Sequence, residues 1–142
     1  YLMDSSKVTE YNKYSIGRVD IASLDPFTKI VWNKTSPPLT RKNFDFCTLM
    51  NVDCRENGSF VITTHATEHA NAPILDNYIR SEIILGVTIV EPCSEDPENR
   101  ATITTVNHIV SPGIPAIVAN KVSLKNAIDF LVDVQKAATR RK

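Results

Sequence analysis

Apolar and polar positions alternate with a period of two through the middle of the chain and change to the helical period soon after Ser111-Pro112-Gly113. That pattern predicts a short helix, six strands and a long final helix. Leu2 to Tyr14 reads as helical, and Gly17 opens a strand from Arg18 to Leu24 that ends in the turn pair Asp25-Pro26. Phe27 to Asn33 is the second strand. The polar segment from Lys34 to Asn43 holds Pro37 and Pro38, which lack the amide that a central strand must donate, so it reads as a loop. Strands from Phe44 to Asp53 and Ser59 to His69 flank Glu56-Asn57-Gly58, and Asn-Gly favours a tight hairpin because both residues tolerate positive φ. A second long hairpin joins Ile79–Glu91 to Arg100–Val110 across the turn-rich stretch Cys93 to Asn99.

Pro115 suits the first turn of a helix, where its missing amide is not needed, and the helix is expected to run to about Ala138. Val118, Val122, Ala127, Phe130, Leu131, Val134 and Ala138 make its apolar stripe, opposite Lys121, Lys125, Asp129, Asp133 and Lys136. Such a stripe has to be covered, and the sheet is the only partner large enough.

Composition narrows the function. A chain of 142 residues with 42% hydrophobic and 23% charged positions suits one globular domain. Sixteen basic residues balance sixteen acidic ones, so no net charge favours nucleic acid. The longest apolar run, Ile83 to Val90, is interrupted by Gly86 and Thr88 and falls short of the roughly twenty residues a spanning helix needs. No secretory signal is read in YLMDSSKVTEY. Cys47, Cys54 and Cys93 leave one thiol over in any disulfide scheme and lack zinc-ligand spacing, which favours a reducing, cytoplasmic setting. The sequons Asn33-Lys34-Thr35 and Asn57-Gly58-Ser59 argue the other way, but such tripeptides arise often by chance.

Candidate chemistry is sparse. His65 and His69 have the spacing of helical zinc ligands, yet on a strand at about 3.3 Å per residue they stand roughly 13 Å apart. Three cysteines and three histidines form no nucleophile signature, and four scattered glycines form no phosphate loop. No catalytic residue, metal or cofactor is expected. Arg80 and Glu82 share one strand face, while Ile79, Ser81, Ile83, Leu85, Val87 and Ile89 share the other, apolar one.

Several segments, in order, resemble the START family, the steroidogenic acute regulatory protein-related lipid transfer domains. Thr67-Glu68-His69-Ala70-Asn71-Ala72-Pro73 is followed by Tyr78-Ile79-Arg80-Ser81-Glu82 and then by Ile89-Val90-Glu91-Pro92-Cys93, similar to the family's Ile-Arg segment and its I-x-P strand end. Lys42-Asn43-Phe44 stands where the family has Arg-Asp-Phe, with Asn43 in place of the acidic residue. Pro112-Gly113-Ile114-Pro115 resembles the approach to its last helix, although the usual Trp is absent. The resemblance implies an α+β helix-grip fold: a curled antiparallel sheet packed on a long C-terminal helix and enclosing an apolar cavity. It also implies that residues 1–142 are a single START-like domain lacking the family's first helix and first three strands, which leaves a sheet edge open.

Projected onto the strand alternation, the resemblance turns Ile30 and Trp32, Phe44, Phe46, Thr48 and Met50, Phe60, Ile62, Thr64 and Ala66, and Ile103, Thr105 and Asn107 toward the helix. All of these except Phe44, together with Ile83, Leu85, Ile117 and Phe130, are the expected lipid-binding residues. Alternation alone fits a dry core equally well. Thr48 stands where cholesterol-binding relatives carry the arginine of a buried ion pair, which weakens a sterol reading. For Arg80 the resemblance implies a fold-stabilising ion pair.

The function implied is intracellular binding and transfer of one lipid molecule, a phospholipid, sphingolipid or sterol, with transient contact at a membrane surface. Two alternatives stay open: a regulatory lipid-sensing module attached to other domains of a longer parent, and a helix-grip enzyme of the polyketide-cyclase type using Glu68 or Asn107. The loop Lys34 to Asn43, with Gly113 to Ile117, is the expected entrance, or else an ordinary surface connection.

Overall fold

The computed structural model describes residues 1–140. The predicted N-terminal helix is shorter than expected. A 3₁₀ turn spans Ser5–Lys7, capped by the Asp4 carboxylate accepting from the Ser6 amide, and α1 spans only Val8–Tyr11 before Asn12 turns extended. The strands are β1 (Ser15–Asp25), β2 (Thr28–Thr35), β3 (Asn43–Cys54) and β4 (Phe60–Ala66), then β5 (Tyr78–Arg80), β6 (Glu82–Pro92) and β7 (Ala101–Val110). The final helix, α2, spans Ala116–Thr139.

One sheet takes the order β1-β2-β3-β4-β6-β7, antiparallel throughout, with β5 added in parallel to the start of β3. Both expected hairpins form. At the first, Gly58 sits at φ 80°, the left-handed region only glycine enters freely, and the Arg55 amide donates to the Ser59 carbonyl at 2.9 Å.

Two features depart from the predicted elements. The single strand expected from Ile79 to Glu91 is broken at Ser81, whose amide donates to the Asp45 carbonyl at 2.9 Å. There the chain leaves β3 and moves to its place between β4 and β7. His69 falls outside β4, in a turn where its Nδ1 accepts from the Asn71 amide at 3.1 Å, so the histidines do not share a strand.

The helix lies over the concave side of the sheet and is fastened to the N-terminal segment. Val8, Tyr11, Val134 and Ala137 form one buried cluster, with Leu2, Ile103 and Phe130 packed against it. Val31, Met50 and Ile62 form another, with Leu2, Met3 and Val52 around it. Leu2 joins the two. The buried stripe of α2 is Val122, Val134 and Ala137; Leu131 and Ala138, expected inside, are exposed. No helix among the described residues is long and apolar enough to cross a membrane.

Candidate functional site

Between the sheet and α2 lies a cavity of about 490 Å³. Its sheet wall follows from register, because residues opposite one another on paired strands point to the same side. The inner rows are Arg18, Asn33 and Phe46; Val31, Thr48 and Ala66; Met50, Thr64, Gly86 and Asn107; and Val52, Ile62, Thr88 and Thr105. Val122, Asn126, Ala127 and Phe130 of α2 form the opposite wall, and Val8, Tyr11 and Tyr14 close one side. Ile114 and Ser111, from the turn before α2, and Thr35, at the root of the Pro37-Pro38 loop, complete the lining.

Eight of the sixteen expected residues line this cavity: Phe46, Thr48, Met50, Thr64, Ile83, Thr105, Asn107 and Phe130. Three more, Ile62, Ala66 and Ile103, lie in or beside the inner rows without reaching the cavity wall; Ile62 and Ile103 instead pack into the two core clusters. Phe60 points to the same side but lies near the far end of β4 and is 46% exposed.

The remaining four lie elsewhere, and each has a physical cause. Ile30 and Trp32 face the outer side of the sheet, since it is Val31, Asn33 and Thr35 of β2 that turn inward. The outer side is itself covered there: the Trp32 indole N–H donates to Asp45 Oδ2 at 2.8 Å, and Asp45 is 0% exposed. Leu85 is 50% exposed because a bulge at Ile84 reverses the alternation of β6 between Ile83, which lines the cavity, and Gly86. Ile117, 73% exposed, lies on the solvent side of α2.

Arg80 belongs to the covered outer side. Its Nη2 and Nε donate to Asp45 Oδ2 at 2.7 and 3.1 Å, and Nη2 also reaches the Ala72 and Pro73 carbonyls at 2.9 and 3.0 Å. This clasp holds the segment between β4 and β5 against the sheet, above the buried thiol of Cys47. It is an ion pair that joins two layers, not a ligand contact.

Three sets of polar groups stand out among those on the cavity wall. Thr88 and Thr105 pair their hydroxyls at 3.3 Å, and the Asn107 amide donates to Thr105 at 3.2 Å. Gly86 makes room in the neighbouring row, since a Cβ there would collide with the Thr64 hydroxyl and stand 3.1 Å from Asn107 Oδ1. Thr48 Oγ1 and Asn126 Oδ1 are buried without a partner, an arrangement that costs about 1–3 kcal/mol for each group unless something enters to bond it. Arg18 forms the third set. Its Nε donates to the Ser5 hydroxyl and its Nη2 to the Leu2 carbonyl, both at 2.9 Å, Nη1 meets the Met50 sulfur at 3.8 Å, and the Tyr11 phenol lies beside the guanidinium.

The helix is latched beside the cavity. Tyr14, on the lining, donates its hydroxyl to Asp129 Oδ2 at 2.5 Å, and the Lys13 and Lys125 ammonium groups approach the same carboxylate at 3.0 and 3.2 Å. The Tyr14 hydrogen bond first, then the two lysines, hold the Asp129 carboxyl well below the usual carboxylate range. Burial pushes the Tyr11 phenol above its usual range. No aspartate, glutamate, histidine or cysteine among the described residues lines the cavity.

No family model matches the chain, and no curated protein matches it in sequence. Solved structures do. It is similar to human StAR-related lipid transfer protein 5, with a TM-score of 0.85 and 19% identity over 93% of this chain and 64% of that one. Human STARD10 gives a TM-score of 0.85 with 20% identity over 98% of this chain and 56% of that one. The fold is that of a START domain. A StAR-related lipid transfer protein from Xanthomonas axonopodis shares the START fold at a TM-score of 0.77 and 13% identity, covering 97% of this chain and 75% of that one. This chain therefore spans less than two thirds of either human START protein.

Arg18, Asn33, Thr35, Tyr14 and Asn126 were missed by sequence reasoning. The signal for the first three was present but inverted: β1 and β2 turn Arg18, Asn33 and Thr35 inward, and β1 leaves Val19 exposed. Only the START arrangement of helix and sheet tells which side is the inside.

Proposed function

We propose that the chain binds a single lipid molecule in the cavity between the sheet and α2 and carries it between membranes. The observation that carries this reading is the 490 Å³ cavity, a size suited to one small ligand, whose surface is mostly apolar but set with many polar side chains, among them the partnerless Thr48 hydroxyl. The START fold supports it, because the neighbours of that fold are named as lipid transfer proteins. Phospholipid, sphingolipid and sterol are the classes considered, in a cytoplasmic setting. The loop from Lys34 to Asn43 and the turn before α2 form the entrance: both are rooted on the cavity lining, and exposed Leu39 of the loop and Ile117 in the first turn of α2 stand ready for passing contact with a bilayer.

A lining without carboxylate, imidazole or thiol supports carriage over conversion, since Glu68 is not on the wall and the Asn107 amide does not titrate. The lipid-sensing module remains the second reading, because the chain spans only 64% and 56% of its human neighbours. Mass spectrometry of lipids extracted from the purified protein tests the proposal, together with Ala127→Trp, which places an indole in the cavity from α2. The variant is expected to keep its circular dichroism spectrum and lose uptake of a fluorescent lipid. Uptake at the wild-type rate would place the ligand elsewhere.

A further inference from the structure

We infer that the lipid carries an oxyanion, a phosphate or a carboxylate, and that Arg18 receives it. This rests on the lipid-binding reading and adds the chemistry of the head group. Arg18 lines the cavity with a half-buried side chain, and no carboxylate among the described residues lies within ion-pairing distance of it. The nearest acidic side chain on the same face is already committed. Both oxygens of Asp20 accept from Lys29 Nζ at 2.9 Å, and one also accepts from the Ser5 hydroxyl. Asp4 is turned to Ser6, whose amide and hydroxyl it accepts at 2.9 and 2.7 Å. One carboxylate thus serves two inner-face cations, and the excess positive charge resides on Arg18.

The donors of Arg18 divide in the same sense. Nε and Nη2 are fixed by the Ser5 hydroxyl and the Leu2 carbonyl, which hold the guanidinium in place. Nη1 meets the sulfur of Met50 at 3.8 Å, a weak acceptor for a charged donor, and the other group beside the guanidinium is the neutral Tyr11 phenol, so neither balances its charge. A guanidinium held on one edge and open on the other suits an oxyanion, which it binds through short charge-assisted hydrogen bonds.

A second observation points to a ligand at the same place. Met50 and Thr48 are alternate residues of β3 on the inner face, and the Thr48 hydroxyl, 1% exposed, aims into the cavity with no partner. Asn33, opposite Arg18 on β2, adds an amide to the wall. Arg18, Asn33 and Thr48 therefore stand together on the β1–β3 side, and Ile83, Ile109, Val122 and Phe130 supply apolar wall for a hydrocarbon chain.

The test uses the full chain and three probes: oleoyl lysophosphatidate, monooleoylglycerol with the same acyl chain, and inorganic phosphate. Displacement of a fluorescent fatty acid reads the affinities. Wild type is expected to bind lysophosphatidate about ten- to hundred-fold more tightly than monooleoylglycerol, the factor one charge-assisted hydrogen bond provides. Arg18→Gln is expected to bring that ratio near one, with the loss falling mainly on lysophosphatidate. Arg18→Lys keeps the charge but not the fork, and is expected to fall between. If Arg18→Gln does not fold, the wild-type ratio and Arg18→Lys decide. Equal binding of both lipids by wild type would overturn the inference and leave the lipid reading standing, whereas binding of neither would overturn both. Inorganic phosphate that binds without lipid and competes at the same concentration as lysophosphatidate would show a free-anion site and overturn the lipid-borne form.

Discussion

Replacing Arg80 by Met keeps an unbranched apolar side chain and removes the guanidinium, so its effect isolates the charge that meets Asp45. The carboxylate is 0% exposed and the arginine side chain 19% exposed, so water cannot take the place of the lost partner. After the substitution Asp45 keeps only the Trp32 indole as a side-chain donor, its Oδ1 is already without a partner, and the Ala72 and Pro73 carbonyls lose the N–H that joined them. Removing one partner of such a buried pair costs about 3–5 kcal/mol, against a total stability of about 5–15 kcal/mol for a domain. At about 4 °C per kcal/mol for a chain of this length, thermal unfolding followed by circular dichroism should shift down by about 12–20 °C. The double variant Asp45→Asn with Arg80→Met leaves no charge buried and should recover a large part of the loss. A shift below about 4 °C, the scale of an exposed pair, or a double variant no better than the single one, would refute the reasoning.

Three further outcomes are expected. The Asp129 carboxyl is held below its unfolded value of about 3.9, so the latch contributes fully above that pH and is lost as pH falls through the depressed folded value. Urea unfolding should therefore show stability dropping on acidification below about pH 4, and Asp129→Asn should flatten that slope. Gly86→Ala should cost about 1–3 kcal/mol, chiefly through collision with the Thr64 hydroxyl, and adding Thr64→Ala should restore most of it; no rescue would show that the cost lies in the contacts with Asn107 and Ile83 instead. Thr48→Val should stabilise the delipidated protein by about 1 kcal/mol in urea titration, because it removes a buried hydroxyl that nothing satisfies, and a loss of stability instead would reveal a hidden partner.

Much of the fold was legible from local signals. Asn57-Gly58 placed one hairpin, the turn-rich stretch Cys93 to Asn99 placed the other, and the change of period after Gly113 placed α2 to within a residue at each end. The ordered segments around Arg80 and Ile89-Val90-Glu91-Pro92 were enough for the START resemblance, which the structure neighbours support at the level of fold. On β3, β4 and β7 the expected inward residues do face inward, because those strands keep a regular alternation from end to end.

What tertiary structure decided is which face of β1 and β2 is the inside, and where the alternation breaks. Alternation groups Ile30 with Trp32 and Val31 with Asn33, but it names an inner face only when one side is wet. Here the segment carrying Ala72 and Arg80 covers the outer side beside Trp32, so both groups are sheltered and hydrophobicity cannot choose between them. The bulge at Ile84 and the break at Ser81 arise because one stretch of chain must serve β3 first and then β4 and β7, a demand set by strands distant in sequence. The open edge of Arg18 has the same origin: its neighbours Leu2, Ser5 and Met50 meet it only after the N-terminal turn folds across the sheet.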